Sequence, residues 1–188
     1  MNTKSILFIV EWALRINVFF KLFIYGAGKI LGGQFYKKGE IPEAIASIPL
    51  GDVGSYNLAW TFFGHSKGYI LFIGISQLIG AFLFLFNRTK LLGGAILIPI
   101  LLNIIVVDAF FGVAYGALFS ACFYLASILF VFYRKKEEIV KAIRNLLIPT
   151  QINTIKKIPL QVLLIGIAFG AVFLIELVFI GVFGYEDR

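Results

Sequence analysis

The chain has 188 residues, 60% of them hydrophobic and 14% charged, with a formal net charge of +7. Soluble domains run nearer about 45–50% apolar and about 25% charged. This chain therefore carries more apolar side chain than one small aqueous core can hide, which excludes a soluble domain. Its positive charge is placed at the edges of apolar runs rather than in a stripe that could track a phosphate backbone, which excludes nucleic acid as a partner.

A bilayer core about 30 Å thick takes roughly 20 apolar residues as helix. Five windows of that kind occur, at Ile6–Leu31, Tyr69–Phe86, Leu91–Val107, Val113–Tyr133 and Ile158–Phe183. They predict an all-α membrane protein with a four-helix core over residues 1–133. A basic segment follows at 134–157, then a fifth transmembrane helix with a short tail at 158–188.

In the first window, apolar character runs on past Arg15 and Lys21, unlike the short apolar region of a cleavable signal peptide, so the segment reads as mature protein. Glu11 and Arg15 are spaced to pair on one helical face, and that pair reads as structural. Lys21, Tyr25 and Lys29 recur every four residues, a stripe expected to face the bundle interior or water. Lys29 is near enough to the end of the span to snorkel, whereas Lys21 is deeper and needs a partner.

Residues 32–68 carry Pro42, Pro49 and several glycines and read as a structured loop rather than one helix. His65, the single histidine, falls in that loop and reads as a surface residue. With one histidine and one cysteine, Cys122, the chain offers no metal site of the usual kind, no bis-histidine haem and no disulfide. In the third window Pro99 is expected to kink the helix. The pairs Gly28/Gly32, Gly112/Gly116 and Gly166/Gly170 have the spacing that permits close helix approach, read first as packing within the bundle and second as an oligomer interface.

Orientation follows from the basic residues. Arg88 and Lys90 in the short second turn, and Arg134, Lys135, Lys136, Lys141, Arg144, Lys156 and Lys157 in the 134–157 segment, belong in the cytoplasm. The N-terminus is then inside, and the 32–68 loop and the Tyr185–Arg188 tail are outside. Within the basic segment Ile139, Ile143, Leu146 and Leu147 share one helical face, as in a helix lying in the interface against anionic lipid; a solvated linker helix is the alternative.

Counting about 1.5 Å per residue from each span's end puts Lys29, Gln77, Asn103, Asp108, Tyr115 and Glu176 in the outer half of the membrane. These groups either line one pocket together with Lys21 and Tyr25, or serve separately as interhelical hydrogen-bond pins. Height does not decide between the two, because it leaves rotation about each helix axis free.

The run Tyr25-Gly26-Ala27-Gly28-Lys29-Ile30 and the hairpin Gln77-Leu78-Ile79-Gly80 leading to Asn87-Arg88-Thr89-Lys90 and Leu91-Leu92-Gly93 resemble the DoxX-like family of small bacterial membrane proteins. The resemblance covers about residues 15–133. It implies a four-helix core in the bacterial inner membrane and a neighbourhood of quinone or redox chemistry. Where the family pattern often has a glutamate this chain has Gln77, so no proton-carrying carboxylate is implied there. The basic segment and the fifth span lie outside the family's usual core.

Three functions are compatible with these features. The first is a redox-linked membrane subunit whose pocket binds a quinone or small anion and which depends on a partner subunit for electron chemistry, since the chain has no self-sufficient catalytic motif. The second is a noncatalytic scaffold or assembly factor, working with other membrane subunits or as a homo-oligomer. The third is a small-solute transporter, which ranks last because no inverted repeat is visible.

Overall fold

The computed structural model describes residues 2–147 and 158–183, and in the last helix only some of the side chains. The chain divides into two compact units, Met1–Lys141 and Ala142–Arg188. Lys156, Lys157 and the Tyr185–Arg188 tail lie outside the described residues.

In the first unit α1 (Thr3–Leu31) is followed by α2 (Glu43–Ala46), a 3-10 turn (Leu50–Asp52) and α3 (Ser55–Gly64), so the 32–68 segment is built largely of short helical pieces. The helices α4 (Lys67–Leu85), α5 (Lys90–Phe110) and α6 (Tyr115–Arg134) then run back and forth. α1 packs on α4, α4 on α5, α5 on α6, and α6 returns to α1, which closes a four-helix ring. α3 leans on α4. α7 (Lys136–Leu147) begins directly after α6, and in the second unit α8 (Ile158–Phe183) is a single helix of 26 residues.

The protein is an all-helical membrane bundle. Among the described residues α4, α5 and α6, with 19, 21 and 20 residues, are long and apolar enough to cross a membrane. Large apolar side chains face outward around the ring: Ile24 is 62% exposed, Phe72 68% and Phe119 72%. Lipid tails are the solvent such a surface needs. Inside the ring Val18, Leu22, Phe84, Leu97, Leu101, Ile128 and Val131 form the apolar core.

Close helix approach is made by glycines other than the three pairs at four-residue spacing. A Cβ on Gly28 or Gly116 would meet nothing within 4 Å, and the same holds for Gly166 and Gly170. Gly32 instead ends α1 in the left-handed region at φ 89°, its N–H bonding to the Gly28 and Lys29 carbonyls, and Gly112, at φ 69°, turns α5 into α6. The contacts fall on Gly26 against Gly74 between α1 and α4, and on Gly80 and Gly93 between α4 and α5. The four-residue spacing selected pairs on one face of each helix without deciding whether that face meets a neighbour. α5 continues as helix through Pro99.

α7 buries none of its side chains. Val140, Ile143, Leu146 and Leu147 are exposed and Ile139 is half-buried among the described residues.

Candidate functional site

The buried face of α1 carries Glu11, Arg15, Val18, Leu22, Gly26 and Lys29, the three- and four-residue steps of a helix seated on one neighbour. Lys21 departs from that face. Eight residues of helix turn about 80° past two full revolutions, so Lys21 and Lys29 cannot look the same way. The structure leaves Lys21 exposed, while Lys29 is 6% exposed and points into the ring.

Lys29 Nζ donates to Gln77 Oε1 at 3.1 Å, and Gln77 Nε2 donates to the Leu22 carbonyl at 2.9 Å. Gln77 thus accepts from the Lys29 ammonium with its oxygen and donates to the α1 backbone with its nitrogen. Both groups line a cavity of about 360 Å³ at the end of the bundle nearest the α5–α6 turn. Asp108, near the end of α5, lines the same cavity and is 7% exposed. Its carboxylate takes part in no side-chain hydrogen bond among the described residues.

Much of the wall is apolar: Leu22, Ile73, Ile100, Leu101, Ile104 and Val107. Tyr25, Asn103, Ser120 and Tyr124 interrupt it with polar atoms. The Ser120 hydroxyl is already engaged, donating to the Gly116 carbonyl at 2.7 Å. Phe35, Trp60 and Phe63 from the loop complete the lining. The Phe35 ring centroid lies 5.7 Å from Trp60 and 5.4 Å from Phe63, Tyr56 stacks on Trp60 at 4.2 Å, and Phe63 on Tyr69 at 6.0 Å. Lys29 Nζ lies 6.0 Å from the Phe35 ring, within reach of a cation–π attraction.

This aromatic lid is fastened from below. Tyr36 N–H donates to the Trp60 carbonyl at 3.3 Å, and the Tyr36 hydroxyl to Asn57 Oδ1 at 3.2 Å. Gly64 is buried against the Tyr36 backbone with no room for a Cβ.

Of the residues expected at a site, the structure brings Tyr25, Lys29, Gln77, Asn103 and Asp108 to one cavity. Lys21 is turned away, and Tyr115, the first residue of α6, is 88% exposed and off the lining. Glu176 sits on α8 of the second unit, its side chain outside the described ones. His65 is an exposed loop residue. Sequence reasoning missed Phe35, Trp60, Phe63 and Tyr124. The aromatic density of residues 56–63 was the available signal. Among the described residues no group of three histidine, cysteine, aspartate or glutamate side chains comes together to hold a metal.

Glu11 and Arg15 form part of a larger ion cluster at the opposite end of the bundle. Glu11 Oε1 accepts from Lys90 Nζ at 2.5 Å and lies 3.5 Å from Arg15 Nη1, while Oε2 accepts from Arg134. Arg15 also caps α4: Nε donates to the Phe84 carbonyl at 3.0 Å, Nη2 to that of Leu85, and Nη1 to Asn87 Oδ1 at 2.6 Å. Thr89 covers the Leu83 carbonyl at 2.7 Å. Three of the four carbonyls that the end of α4 leaves without partners are thereby satisfied inside the bundle.

Fold and site together define an α-helical membrane bundle with a polar-footed cavity beneath an aromatic lid. The chain is 37% identical over 123 residues to the uncharacterized protein YwoB of Bacillus subtilis (strain 168), a match covering 65% of this chain and 75% of the relative, and it belongs to that protein's family. No protein-family model matches the chain, and no solved structure does.

Proposed function

We propose that the cavity binds the head group of a quinone, and that the protein is a DoxX-like subunit of the bacterial cytoplasmic membrane that serves redox chemistry carried out with a partner. The observation that carries this reading is the presence of both Lys29 and Asp108, unpaired with each other, on one mainly apolar cavity under Phe35 and Trp60. A quinone is flat and apolar with a carbonyl at each end. Lys29 is suited to donate to one carbonyl, and Asp108 to accept from the hydroxyl of the reduced form. The aromatic lid suits a planar ring. The volume of about 360 Å³ falls in the range of small-ligand pockets.

Electron transfer itself falls to the partner, because one cysteine and one histidine leave this chain no redox centre of its own. We further read α1 and α8 as membrane spans, giving five in all. α1 exceeds the charge of an ordinary span, but burial and pairing of Glu11, Arg15 and Lys29 make crossing tolerable. Arg88, Lys90 and Arg134 share one end of the bundle, which supports a cytoplasmic N-terminus with the lid outside.

The test uses the two tryptophans, Trp12 and Trp60. In a Trp12→Phe background the full chain reports on Trp60 alone, and titration with a short-chain quinone is expected to quench it saturably. Lys29→Ala and Asp108→Asn are each expected to weaken binding about tenfold, the loss of one charged hydrogen bond. Quenching that does not saturate, or that is the same in all variants, rules the reading out.

A further inference from the structure

At the end of the bundle away from the cavity, one carboxylate faces three cations. Among the described residues Arg15, Lys90 and Arg134 each pair with Glu11 and with no second carboxylate, so three positive charges against one leave an excess of two. The carbonyl end of α4, which Arg15 caps, offsets about half a charge of that. In apolar surroundings the remainder calls for a counter-anion.

The three cations differ in reach. Arg15 is fully buried and Lys90 is 7% exposed, whereas the Arg134 side chain is 26% exposed. Arg134 spends Nη1 on Glu11 and on the Leu7 carbonyl, 2.9 Å away. Its Nε and Nη2 donate to nothing among the described residues, which leaves one edge of the guanidinium fork open.

Aromatic rings flank this end of the bundle. The Arg15 guanidinium lies over Trp12 at 4.5 Å, and Lys136 Nζ lies 5.2 Å from the ring of Tyr133, next to Arg134. Trp and Tyr with an apolar body and a polar tip belong at the level of lipid head groups. The neighbouring surface is apolar, with Leu7, Phe8 and Tyr133 exposed.

We infer that this end of the bundle binds the phosphate of an anionic phospholipid. Arg134 presents the open donor edge, Lys90 adds the second charge, and Glu11 holds both in place. The acyl chains lie along Leu7, Phe8 and Tyr133, a surface that suits a lipid rather than a free phosphate ion. The inference needs the bundle to lie in a membrane and is independent of what the cavity binds.

The experiment is native mass spectrometry of the full chain in detergent, offered phosphatidylglycerol and phosphatidylcholine at equal concentration. Retention of one phosphatidylglycerol is expected with a preference of about thirtyfold, as two interfacial cations would give. Arg134→Gln is expected to abolish most of that preference, while Arg88→Gln, an exposed arginine outside the cluster, preserves it. Equal retention of the two lipids by the unaltered chain overturns the inference, whatever the variants do. So does displacement of phosphatidylglycerol by inorganic phosphate at matched concentration, which would mark a site for soluble anions.

Discussion

The Lys29 ammonium donates to Gln77 Oε1 at 3.1 Å, so the charged end of α1 is held by a neutral amide of α4 rather than by a carboxylate. Gln77→Leu removes that acceptor and the donor to the Leu22 carbonyl together. A buried donor stripped of its partner costs about 1–3 kcal/mol, and a buried cation more. Gln77→Glu sets a carboxylate oxygen against the Leu22 carbonyl but gives Lys29 a charged acceptor that offsets this, so it is expected to be the milder change. Thermal unfolding in one detergent orders the three proteins; Gln77→Leu melting at or above Gln77→Glu would contradict this account.

Gly93 decides how closely α5 approaches α4. A Cβ there would overlap the Phe84 backbone nitrogen and lie 2.7 Å from the Gly80 carbonyl. Backbone cannot step aside as a side chain can. Gly93→Ala is therefore expected to destabilise by the upper part of the overpacking range, about 3 kcal/mol. Gly28→Ala, with open space around its Cβ, is expected to leave the stability within about 0.5 kcal/mol of the parent. Equal melting of the two variants would show that α4 and α5 do not meet at this glycine.

Among the described residues Glu11 is the one carboxylate in a cluster with Arg15, Lys90 and Arg134. Glu11→Ala leaves three cations facing each other in low dielectric, and breaking a buried pair costs about 3–5 kcal/mol. Arg134→Gln removes a partly exposed partner and relieves repulsion with Lys90, so it is expected to cost less than 1 kcal/mol, the range of exposed pairs. Chemical denaturation of both variants in the same lipid or detergent checks the order.

The sequence makes the helices and their heights legible because lipid imposes a length on each span and depth follows from counting. Rotation is what counting leaves out. Lys21 and Lys29 share a stripe at four-residue spacing, yet helical drift turns one to the outside and the other to Gln77. Height places Tyr115 in the outer half of the membrane, but at the first turn of α6 it is exposed and off the cavity lining. Glu11 and Arg15 were readable as a local pair, but Arg134 reaches Glu11 only through closure of the ring by α6, a long-range contact with no local signature. The lid was hidden for a similar reason: residues 32–68 carry turn signals that read as loop, and packing of α3 on α4 brings Trp60 and Phe63 to the cavity that Lys29 lines.

Gly64 links the lid to the function proposed for the cavity. It closes α3 against the Tyr36 backbone, and a Cβ at this position overlaps the Tyr36 carbonyl. Tyr36 is tied to α3 at Trp60 and Asn57, so displacing it moves Phe35 and Trp60 off the cavity. The ring of α1, α4, α5 and α6 closes without α3, whose own packing is on α4. Gly64→Ala is thus expected to separate the two properties: quinone affinity measured by Trp60 quenching falls about tenfold, or about 1.4 kcal/mol, while unfolding of the bundle shifts by less than about 1 kcal/mol. Unchanged affinity alongside a large loss of stability would make the lid a structural brace with no part in binding.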